Sequence, residues 1–127
     1  LIADEADDYL DIKVYTLSGQ FTGTVFGSDI FSVEPEGLGL YEDGSRGFWV
    51  ATDQHKKKSE FNIYDRQNFD YLGSFSGQEV ANTDGICVTN EKFDLFPQGA
   101  VYAVHDDRAV MAFSWEDIVS RLGLTVH

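Results

Sequence analysis

Short runs of alternating apolar and polar residues recur along this chain, parted by turn-forming clusters, and they predict strands. Four runs fill the middle of the sequence, at about Gly37–Tyr41, Gly47–Thr52, Glu60–Tyr64 and Asp70–Phe75. Glu42-Asp43-Gly44-Ser45, His55-Lys56-Lys57-Lys58 and Asp65-Arg66-Gln67-Asn68 separate them. The strand positions favour β-branched and aromatic residues, which pack well on a pleated surface. One segment has the helical period instead. Trp115, Ile118, Val119 and Leu122 fall at i, i+3, i+4 and i+7, with Ser114 as N-cap, Asp117 at the capping-box position and Gly123 as the stop.

The strand pattern repeats. Val33–Leu40 is matched by Ala81–Val88, each with two polar positions, a glycine and then alternating aliphatics. Ile12-Lys13-Val14-Tyr15, Phe61-Asn62-Ile63-Tyr64 and Val110-Met111-Ala112-Phe113 match in the same way. The period of about 48–52 residues falls in the range of propeller blades. The expectation is an all-β chain of β-propeller blades, each of four antiparallel strands, with one short C-terminal helix. The whole of 1–127 would be the C-terminal part of a single propeller domain: a partial blade at 1–30, a full blade at 34–77, and a partial blade plus helix at 82–127. About two and a half blades cannot close. The reading therefore calls for further blades upstream or for several copies in a ring. An opening of Leu1-Ile2-Ala3-Asp4, without Met, favours a removed upstream segment.

Charge narrows the partners. The 127 residues hold 9 Lys plus Arg against 22 Asp plus Glu, a net −13. Such a chain lacks the cations that a sequence-independent nucleic-acid binder or a protein docked on an anionic membrane needs. Its hydrophobic fraction of 43% is too high for a disordered acidic tail. Cys87 is the sole cysteine, so no intrachain disulfide forms, and its place between Ile86 and Val88 reads as a small buried hydrophobe. No apolar run approaches the ~20 residues of a membrane helix, and no signal peptide is visible.

In a blade the start of the first strand, the end of the second and the start of the third share one face. That face would receive Asp4, Glu5, Asp7, Asp8 and Asp11, then Glu34, Glu36, Asp53 and Gln54, then Asn82, Asp84, His105, Asp106 and Asp107. Glu36 and Asp84, each before a glycine at the start of an inner strand, would approach each other. Like charges gathered this way are costly without a cation among them, and hard oxygen ligands suit Ca²⁺. Asp7, Asp8, Asp11 and Asp107 read as a solvated rim, and His105-Asp106 as a polar loop. The basic run Lys56-Lys57-Lys58 is either a solvated loop tip or a contact for an anionic substrate.

Glu34-Pro35-Glu36-Gly37-Leu38, Phe61-Asn62-Ile63-Tyr64-Asp65-Arg66-Gln67, Asn82-Thr83-Asp84-Gly85-Ile86, Pro97–Asp106 and Ser114-Trp115-Glu116-Asp117-Ile118 occur in an order that resembles the β-propeller phytases. These are calcium-dependent six-bladed enzymes that hydrolyse inositol polyphosphates. The resemblance covers about Val33 to Gly123. It implies calcium ligands at Glu34, Glu36 and Asp84, with Asn82 and Glu34 each standing where the family has Asp. Ile2-Ala3-Asp4-Glu5 is similar to a family stretch that bears on calcium and phosphate, which adds Asp4 and Glu5 to the metal set. Glu36 and Asp84 would serve catalysis, and Gln54 and Lys56 the substrate. The implied activity is calcium-dependent phosphomonoester hydrolysis of phytate, and the implied location secreted or periplasmic. A calcium-dependent lactonase or esterase, or a non-catalytic binding propeller with structural calcium, are the alternatives.

Overall fold

The computed structural model describes residues 1–6 and 8–126; Asp7, placed above on the acidic rim, lies outside them. Strands β1 (Ile2–Asp4), β2 (Asp11–Tyr15) and β3 (Phe21–Phe26) form a first sheet in the order β1-β2-β3. A central sheet runs β4 (Pro35–Asp43), β5 (Arg46–Asp53), β6 (Glu60–Asp65), β7 (Tyr71–Phe75). A third joins β8 (Ile86–Thr89), β9 (Ala100–His105) and β10 (Ala109–Ser114), and helix α1 (Trp115–Leu122) follows. Every strand pairing is antiparallel. No helix among the described residues is long and apolar enough to cross a membrane.

Strand alternation gives the central sheet two apolar faces. Phe48, Val50, Phe61 and Ile63 join a core with Val101, Ala103, Trp115 and Ile118, between the central and third sheets. Ala51 and Tyr64, one residue out of step with that set, join Ile12, Phe26 and Phe31 in a second core against the first sheet. Trp115 is fully buried and stacks on Tyr41, ring centroids 4.0 Å apart and planes 12° apart. Burying an aromatic of this size is worth roughly 4–6 kcal/mol of gross transfer free energy. That contact fastens the helix to the sheet stack. Gly123, left-handed at φ 65°, stops α1, and its N–H donates to the Val119 carbonyl. Ser114 precedes the helix in extended conformation but makes no side-chain cap, so the expected capping box does not form.

The described residues are all-β with one short helix, but they do not form propeller blades. Three small sheets of three, four and three strands stand as separate open antiparallel sheets, none closed or curled. The period of about 48–52 residues therefore reports repeated hairpins, not closure. Alternation and turn residues are local and encode strands and hairpins. Sheet closure depends on twist and strand tilt summed over the assembly, which no local pattern carries. Cys87 also departs from expectation: it is exposed, because its neighbours Ile86 and Val88 take the core side of β8.

Candidate functional site

Two glycines decide where the acidic residues meet. A Cβ on Gly37 would stand 2.8 Å from the Ile86 nitrogen and 3.1 Å from the Asp84 carbonyl oxygen. One on Gly39 would stand 2.4 Å from a Val88 methyl carbon. Their bare backbone lets β4 lie tightly against the chain entering β8. Glu36, just before Gly37, is thereby brought beside Asp84. Strand β1 flanks β4 as well, so Glu5, which follows β1, reaches the same corner. Glu34 immediately precedes β4.

Glu36 is half-buried there and hydrogen-bonded to Glu5. Burial pushes its carboxyl up first; the Glu5 hydrogen bond and charge, then the charges of Asp84 and Glu34, push it further, to about 7. A carboxyl–carboxylate hydrogen bond needs one proton between the two groups. Gln54 donates its side-chain amide to Asp84 Oδ1. The Gln54 backbone N–H donates to the Glu34 carbonyl at 2.8 Å. The glutamine thus ties the ends of β4 and β5 to the entrance of β8.

Asp53 has a different task from the one its place on the acidic face suggested. It is 1% exposed and accepts from the Ser32 N–H (2.8 Å), the Ser32 hydroxyl (2.9 Å), the Val33 N–H (3.0 Å) and the Glu34 N–H (3.1 Å). His55 Nε2 lies 3.1 Å from it. Burial alone would raise this carboxyl, but the Ser32 amide, His55, the Val33 amide and the Ser32 hydroxyl together hold it below the usual carboxylate range. Asp53 clamps the turn that carries Glu34. Nothing local in Ala51-Thr52-Asp53 announces this, because the donors come from about twenty residues away.

The remaining predicted residues stand apart from the corner or serve it only through the backbone. Asp4 is held by Lys13 Nζ at 2.5 Å and accepts from the Ala6 N–H at 3.1 Å. Lys13, bonded also to Asp11 at 2.9 Å, is pushed up to about 12 by Asp11 and then Asp4. Asp4 and Asp11 thus share one cation on the first sheet. Asn82 is left-handed (φ 49°), a conformation asparagine tolerates, and its N–H donates to the His55 carbonyl at 2.8 Å. Lys56 is exposed at the bend after His55. His105 Nδ1 accepts from the Ala81 N–H at 3.1 Å, and Asp106 pairs with Arg108 at 3.4 Å.

Two outer sheet faces are apolar. On the first sheet Ile2, Phe21 and Val25 are exposed at 52%, 48% and 41%. On the third sheet Val110 is exposed at 64%. Beside it Phe93, Asp94, Leu95, Phe96 and Tyr102 line a shallow groove of about 380 Å³. The alternation that predicts each strand also marks these positions as apolar.

Among the described residues no group of three or more His, Cys, Asp or Glu is disposed to hold a metal ion. In comparisons with known proteins, no family model, no curated protein and no solved structure matches the chain. The resemblance to the calcium-dependent phytases is thereby overturned. The sheets are open, no preformed metal centre is present among the described residues, and no relative supports phytate hydrolysis or any phosphatase activity.

Proposed function

We propose that Glu5, Glu34, Glu36 and Asp84 form a titratable binding centre that holds a proton near neutrality and exchanges it for a cation, with calcium the candidate. The observation that carries this reading is the hydrogen-bonded Glu5–Glu36 pair crowded by two further carboxylates. Four like charges at one corner repel unless a proton or a cation sits among them. Their donors are all oxygen, the kind that Ca²⁺ takes in flexible geometry. The side chains do not surround a common point as they stand. Uptake therefore requires loss of the shared proton and release of Asp84 from Gln54. Binding should be weak below the Glu36 value of about 7 and stronger above it.

Calorimetric titration with calcium chloride in two buffers of different ionisation enthalpy tests this. The expected result is binding above neutral pH, a proton released on binding near neutrality, and loss of both in Glu36→Gln and Asp84→Asn. No calcium binding at any pH, with the Glu36 titration intact, would leave a proton-holding pair and overturn the cation reading.

A further inference from the structure

The chain contains two interfaces in which one sheet packs on the next, and the same strand positions build both. Ile12 and Val14 of β2 face the central sheet, and Phe61 and Ile63 of β6 face the third. Val110 and Ala112 of β10 follow at the same spacing of 49 residues. They hold the same forward-facing positions, with Val110 paired to Val104 and Ala112 to Tyr102. Among the described residues no further sheet covers them.

The backward-facing set repeats as well. Tyr64 packs toward the first sheet and Phe113 toward the central one. Tyr15, 49 residues before Tyr64, holds that position in β2. It faces outward beside Phe21, ring centroids 5.5 Å apart. Pairing of Lys13 with Ile2 and with Val25 puts both aliphatics on this outer face. Lys13, the cation there, already has Asp4 and Asp11 as partners, so covering the face strands no lone positive charge.

A forward face thus lies open at one end of the stack and a backward face at the other. We infer that the outer face of the third sheet docks on the outer face of the first sheet of a second copy of this chain. The contact continues the inter-sheet packing already formed twice within each copy. It is heterologous, head to tail, so each copy uses one face for each neighbour. Apolar burial drives it, and the net charge of −13 opposes it.

Sedimentation velocity over a wide concentration range, with paired variants, tests the inference. The wild-type mass should rise above 14.2 kDa with concentration, and rise further with added salt as repulsion is screened. Val110→Glu and Phe21→Glu should each remain monomeric, because each lacks one face. An equimolar mixture of the two should form dimers and stop there, since one intact forward face meets one intact backward face. Circular dichroism checks that each variant is folded, and Val110→Lys and Phe21→Lys serve in the same scheme if a glutamate variant is not. A wild-type chain that stays monomeric at all concentrations, or a mixture that stays monomeric while the wild type associates, would overturn it.

Discussion

Replacing Glu36 by glutamine should stabilise the protein, and only above mildly acidic pH. In the folded chain Glu36 titrates at about 7 instead of at its ordinary value of 4.5. A raised carboxyl pKa means that the fold prefers the protonated form. No penalty exists below the unfolded value of 4.5; it grows as pH rises from there to the folded value and is complete above it. At about 1.36 kcal/mol per pH unit the unscreened penalty is about 3.4 kcal/mol. Glu36 is half-buried at a sheet end, where water screens the Glu5, Asp84 and Glu34 charges, so about 1–2 kcal/mol is expected. Glutamine keeps the size and mimics the neutral acid. Urea unfolding of wild type and Glu36→Gln in the presence of EDTA should give nearly equal stabilities at about pH 5 and a more stable variant by about 1–2 kcal/mol at about pH 8. Glu5→Gln should act in the same direction, because it removes one of the charges that crowd Glu36. A variant that is less stable at the higher pH, or a gap that does not change with pH, would refute the reasoning.

Asp53→Ala should destabilise by about 3 kcal/mol near neutral pH, since it removes a buried carboxylate that satisfies three backbone amides. Because its folded pKa is depressed, that loss should be present above the unfolded value of about 3.9 and fade as pH falls through the folded one, as urea titrations at acidic pH would record. Trp115→Ala, which empties a fully buried site and removes the Tyr41 stack, should cost about 3–5 kcal/mol in urea unfolding and reduce near-ultraviolet circular dichroism.

Strands, hairpins and the helix were legible in the residues because each is set by local chemistry. Period-2 alternation marks β5 and β6, the Glu42–Ser45 and Asp65–Asn68 clusters mark their turns, and the apolar face with Gly123 marks α1. The 49-residue spacing of Tyr15, Tyr64 and Phe113 likewise told which positions are equivalent. The sequence also pointed at Glu36 and Asp84, since both precede a glycine at the same place in the repeat. What it did not determine was the arrangement of the three sheets, which depends on twist and on packing between residues far apart in the chain. Tertiary structure alone separated carboxylates of similar sequence context into three roles. Asp4 shares Lys13 with Asp11, Asp53 is spent on the 32–34 backbone, and Glu36 remains crowded beside Glu5. The physical reason is that a carboxylate's charge state follows its neighbours in space, and those neighbours arrive from other strands.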